Sequence, residues 1–193
     1  MQKCYRYDDE SKRLYITGCG TKIAERNAAV VQFCDDYSIK LSEFNVPIVI
    51  EPQVTECIEL LKDCKSFNQS VILSDGIKHC EYMFEGCEEF NQSIEIPDSV
   101  RTVHGMFRGC MKFNQPIRIP NGIKRSSSMF MNCLSFNQKV EIPNSVICTI
   151  SMFKNCKHFN QTIELPADLE ECNFMFEGCE EFDQSVVLGM KIE

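Results

Sequence analysis

The chain has 193 residues, 44% of them hydrophobic, and 20 Lys or Arg stand against 28 Asp or Glu for a net charge of −8. That length suits one domain plus a small extra element, and no apolar run is long enough for a membrane-spanning helix. Residues 1 to 43 hold seven basic and seven acidic side chains, so the whole excess of acid lies beyond them, where it disfavours nucleic-acid phosphates.

The opening MQKCYRYDDESKR lacks the apolar segment of a secretory signal, and the expected location is cytoplasmic. CYRYDDESKRLYIT alternates on either side of a polar DDESK stretch and predicts a β-hairpin. TKIAERNAAVVQFCDDY then predicts a helix with Thr21 as N-cap and Ile23, Asn27, Val30, Val31, Cys34 and Tyr37 near one face. Residues 1–43 are thus expected to form an α+β cap over the N-terminal end of residues 44–193.

From Phe44 onward the chain repeats. The Phe of FNQ recurs at Phe67, Phe90, Phe113, Phe136, Phe159 and Phe182, and a Cys at Cys64, Cys87, Cys110, Cys133, Cys156 and Cys179, both in steps of 23. FNVPIVIEP at Phe44 has the same logic with Val46 in place of Gln. Such a period marks a solenoid, whose units bury their apolar residues only by stacking. The alternation Ile94, Glu95, Ile96 predicts a short half-buried strand, ended by Pro97, while Met83 to Cys87 predicts a turn or a short strand. Stacked units put like on like. Asn68, Asn91, Asn114, Asn137 and Asn160 form one expected amide ladder and the Gln residues next to them another. The 13 cysteines are odd in number and sit at the repeat period, which predicts mostly reduced thiols packed as small hydrophobes. At the far end, Val186, Val187, Leu188, Met190 and Ile192 carry almost no charge among them, and an end-to-end homodimer through residues 183 to 193 is expected.

The string MFxGCxxFNQxIxIPxxV over residues 44–193 resembles the BspA-like leucine-rich repeats, which carry AFxxC and IPxxV elements at the same length. Its MF and FNQ pieces are similar to related repeats of mycoplasma surface proteins and of phage or mobile-element proteins. The resemblance implies a β-rich solenoid, a right-handed leucine-rich-repeat coil of about six units, used to bind other macromolecules.

His79, His104 and His158 fall at different repeat positions, the CX6C pairs are too wide for zinc, and no GxSxG, HExxH or phosphate loop occurs. No catalytic, metal or cofactor site is read. Binding information must lie in positions that vary between units. Around the Cys column, Glu89 is expected beside Lys112, Glu85 beside Arg108, Lys154 beside Glu177, and Lys157 beside Glu180. Met111, Met131 and Leu134 are apolar where flanking units are charged, an apolar centre with a rim of Arg108, Lys112 and Lys154. The outward strand positions Ile72, Glu95, Arg118, Glu141, Glu164 and Val187 form a second candidate surface. The expected function is a non-enzymatic protein-binding module, an intracellular inhibitor or adaptor from a phage or mobile element acting on a host defence protein. The alternatives are a surface adhesin, or an enzyme with catalytic groups in the N-terminal segment.

Overall fold

A computed structural model describes residues 4–17 and 28–189. The hairpin forms as β1 (Tyr5–Asp8) and β2 (Arg13–Ile16), antiparallel, with Tyr5 opposite Ile16. β2 then pairs in parallel with β3 (Ile48–Ile50), and β3 with β4 (Val71–Ile72). The N-terminal strands therefore continue the sheet of the repeats. α1 covers Ala28–Asp36, and the expected N-cap Thr21 together with Ile23 and Asn27 lies outside the described residues. Its buried face is Ala29, Val30, Phe33 and Cys34, with Val31 half-buried and Tyr37 exposed. The face is centred on Phe33 because that ring meets Tyr5, Tyr7 and Phe44 at 5.5, 5.1 and 5.9 Å. Tyr37 instead stacks flat on Phe33 at 4.5 Å from outside, and the Tyr5 hydroxyl donates to Asp36.

The turns opening at Thr55, Lys78, Arg101, Lys124, Ile147 and Glu170 are numbered first to sixth. Their phenylalanines form two parallel columns. Phe90 lies 5.8 Å from Phe113, Phe113 5.9 Å from Phe136, and Phe107 5.8 Å from Phe130, with planes within 3° of parallel. Within a turn the two columns touch, at 4.4 Å for Phe107 and Phe113. Phe44 heads the stack, 5.9 Å above Phe67. The protein is thus a solenoid whose core is a continuous rod of rings.

Backbone hydrogen bonds run along the axis of that rod. Phe84 N–H donates to the Met106 carbonyl (2.9 Å), Phe107 to Met129 (3.0 Å), Phe130 to Met152 (2.9 Å) and Phe153 to Met175 (3.0 Å). The segment from Met83 to Cys87 is a turn rather than a strand. Aiming its amides along the axis needs left-handed backbone twice per repeat. The residue before each Cys has positive φ: Asp63, Gly86, Gly109, Asn132, Asn155 and Gly178. Those are residue types that enter this region with least strain. The second such position is held by Glu59, Tyr82, Gly105, Ser128, Ser151 and Phe174. Only one of these six is glycine. A Cβ on Gly105 would stand 2.5 Å from the Tyr82 ring, which covers it.

Strands are fewer than the alternation suggests. Among the described residues, β5 (Ile163–Leu165) pairs in parallel with β6 (Val186–Leu188), but Ile94–Ile96, Ile117–Ile119 and Val140–Ile142 form no ladder, although each keeps the buried, exposed, buried pattern. Proline supplies the reason. At the residue after two of the alternating triplets, Glu51 N–H donates to the Ile16 carbonyl (3.0 Å) and Gly189 N–H to Leu165 (2.7 Å). Pro97, Pro120 and Pro143 stand at the equivalent place and have no amide to give.

The amide columns are cross-linked rather than separate. Asn114 Oδ1 accepts from Asn137 N–H (2.9 Å) and from Gln138 Nε2 (3.1 Å), and Asn68, Asn91 and Asn137 repeat the arrangement. The Asn side chain acts through its oxygen. Asn114→Ala is expected to cost about 1–3 kcal/mol, the range for stranding part-buried donors, while Asn114→Asp, which keeps the acceptor, is expected to cost much less; urea unfolding of the two variants checks this, and equal losses would contradict it.

Candidate functional site

The three outward columns that flank the Cys column make a ridge. Lys62 meets Glu85 at 2.9 Å and Arg108 meets the same Glu85 at 3.4 Å; Lys65 pairs with Glu88 (2.8 Å), and Lys112 with Glu89 (2.5 Å). Lys154 pairs with Glu177 (2.9 Å), Lys157 with Glu180 (2.8 Å), and the His158 ring with Glu181 (2.6 Å). All four ion pairs expected from the repeat period form, joined by a His158 contact that the period also allowed.

Between these two charged zones lie Met111 of the third turn and Met131 and Leu134 of the fourth. Met111 is 42% exposed, and Met131 and Leu134 are half-buried. Arg108 and Lys112 reach for carboxylates of the second turn and Lys154 for one of the sixth. The cations of the rim are therefore directed away from the apolar centre, and their charges are neutralised before any partner arrives. The structure places all six residues on one ridge.

Four residues of the second candidate surface, Arg118, Glu141, Glu164 and Val187, line a cleft of about 810 Å³ together with Lys139 and Thr162 among others, while Ile72 and Glu95 lie outside it. Arg118 is held by Asp98 at 2.8 Å. Ile72 and Val187 are exposed, as are Glu95, Glu141 and Glu164. On β6, Val186, Val187 and Leu188 are exposed, while Met190 and Ile192 lie outside the described residues.

Among the described residues, eleven cysteines are free thiols and Cys4 is disulfide-bonded. Within the Cys column the sulfurs from Cys87 to Cys179 do more than fill space. Cys87 Sγ–H donates to the Leu61 carbonyl (3.0 Å), Cys110 to Phe84 (3.1 Å), Cys133 to Phe107 (3.0 Å) and Cys156 to Phe130 (2.9 Å). Burial pushes the thiol of Cys57 up to about 12 and those of Cys87, Cys110 and Cys156 well above the ordinary range. These are structural groups, protonated and occupied. Periodicity locates the column but carries no sign of its donor role. Among the described residues, no three His, Cys, Asp or Glu are grouped to hold a metal ion, and no helix is long and apolar enough to cross a membrane.

The profile of a family described as "Mycoplasma protein of unknown function, DUF285" matches residues 21–117, 55–164 and 121–188. A solved structure, "Crystal structure of T. pallidum Leucine Rich Repeat protein", is 17% identical, with a TM-score of 0.42 over 92% of this chain and 65% of the other. No curated protein matches.

The buried thiols give a pH dependence of known sign. Below about pH 8.5 these thiols are protonated whether the chain is folded or not. Above it the unfolded chain releases protons that the folded chain keeps, so stability falls as pH rises towards the raised folded values, about 12 for Cys57. Unfolding free energies from urea titrations between pH 8.5 and 9.5 are expected to drop with a slope steeper than the ~1.4 kcal/mol per pH unit that one thiol could give; a flat profile would mean the thiols are not buried.

Proposed function

Because this chain belongs to the family described as "Mycoplasma protein of unknown function, DUF285", a family of BspA-like repeats, we propose that it is a non-enzymatic protein-binding module that engages its partner through the ridge. One observation carries this reading: Met111 in the third turn and Met131 and Leu134 in the fourth interrupt an ion-pair ladder that is otherwise formed on both sides of them. The inward polar groups are already committed. Thiols bond to carbonyls and amides bond between turns, which leaves outward positions to carry recognition. An apolar centre within a polar rim is the anatomy of an interface core, and a scaffold ordered before contact loses little entropy on binding. The finer reading, an inhibitor or adaptor of phage or mobile-element origin that occludes a face of a host defence protein, is supported by the acidic balance of the repeats.

A pull-down from the native host tests the ridge. Wild type is expected to retain a partner that Met131→Asp, Leu134→Asp recovers at least ten-fold less. Met111→Asp, at the more exposed position, is expected to weaken recovery without lowering the melting temperature. Equal recovery by all three proteins would overturn the reading.

A further inference from the structure

A different column breaks the charge rule of the ridge in the opposite way. The residue that opens each turn is Lys78 in the second, Arg101 in the third and Lys124 in the fourth, and all three are exposed. Axial backbone bonds run through this column above and below, Lys78 N–H to Thr55 (2.7 Å), Arg101 N–H to Lys78 (2.8 Å) and Ile147 N–H to Lys124 (2.9 Å), and the turns of Arg101 and Lys124 are joined further along, Gly105 N–H to Ser127 (3.0 Å) and Phe107 N–H to Met129 (3.0 Å). Neighbouring side chains of this column are thus about 4.7–4.9 Å apart at their origins. Like charges at that separation repel. Arg101 is braced by donating to the Asp98 and Val100 carbonyls (2.8 and 3.1 Å), neither of which carries charge. Two acids of this edge are engaged elsewhere, Asp98 with Arg118 (2.8 Å) and Glu171 with Arg125 (3.7 Å). The sheet face also stacks Glu141 on Glu164, but in a chain with eight excess negative charges neighbouring acids follow from composition. Three stacked cations do not.

We infer that Lys78, Arg101 and Lys124 form a binding strip for an acidic α-helical segment of a protein, lying along the solenoid axis on a surface separate from the ridge. Spacing selects the helix. Two intervals of the strip span about 9.6 Å, and carboxylates at i, i+3 and i+7 of a helix span about 10.5 Å. An extended strand bearing them at i, i+2 and i+4 would span about 13 Å. Length selects a short segment over a polyanion. The columns of this edge end in Glu56 above and in Glu170 and Glu171 below, so a nucleic acid tracking the strip would meet carboxylates one turn above Lys78 and two turns below Lys124.

The test uses fluorescein-labelled alanine-based helical peptides, one with Glu at i, i+3, i+7 and i+10 along a single face and one with the same residues scattered around the helix, plus a twelve-nucleotide single strand, read by anisotropy at low salt. The single-face peptide is expected to bind at least ten-fold more tightly than either of the others. Lys78→Ser, Arg101→Ser, Lys124→Ser, all at exposed sites, should abolish that preference with its melting temperature unchanged or raised by relief of repulsion. Met131→Asp, Leu134→Asp should leave it intact, which separates failure of the strip from failure of the ridge. Equal affinity for the two peptides, tighter binding of the oligonucleotide, or full binding by the triple variant would overturn the inference.

Discussion

Axial hydrogen bonding between turns of identical cross-section is the constraint on which everything else in this protein depends. Once Phe84 N–H reaches the Met106 carbonyl and Phe107 N–H reaches Met129, the offset between turns is fixed at 23 residues and every side chain meets its own counterpart. The core has to be made of residues that pack well against themselves. Flat rings satisfy that in both columns, with offset stacking that adds to simple area burial. Small thiols satisfy it beside them, and gain a carbonyl acceptor as well.

The same constraint explains the strain. A repeat of this length turns twice through left-handed backbone, and Glu59, Tyr82, Ser128, Ser151 and Phe174 occupy that region without being glycine. Each such residue costs about 1–2 kcal/mol. A single repeat would not hold it. The cost is sustained because each strained turn donates to the next, as Tyr82 N–H does to His104 (2.9 Å) and Ser128 N–H to Ile150 (2.8 Å), so strain and hydrogen bonding rise together with the number of turns.

The sequence made the stacking partners legible because period is a property of letters. Phe90 on Phe113, Lys112 on Glu89 and Lys154 on Glu177 all come from counting. Backbone direction was less legible. The Asp, Gly, Gly, Asn, Asn, Gly column before each Cys is a signature of left-handed turns, but Tyr82 and Phe174 give no such sign. The missing strands result from the absent amides of Pro97, Pro120 and Pro143, whose effect shows only once Gly189 is seen to make the bond that they lack. Of the candidate site, letters revealed which ridge positions vary. They could not reveal that Arg108 and Lys112 reach one way and Lys154 the other, since that is a matter of side-chain direction.

Fixed register also makes surface charge informative in a way it is not on an irregular protein. Neighbours in a column are forced together, so the sign of adjacent charges is a choice that stacking does not dictate. On the ridge, charges that meet are opposite: Lys62, Glu85 and Arg108 alternate, as do Lys154 and Glu177. A ladder of that kind stabilises the stack and is silent towards partners, because its charges are spent on each other. Departures from it do not help the stack: apolar Met131 between Arg108 and Lys154 contributes no ion pair, and Arg101 between Lys78 and Lys124 adds repulsion. Surface positions that weaken the scaffold where opposite charge would strengthen it are where selection for contact is most readily read from a single chain.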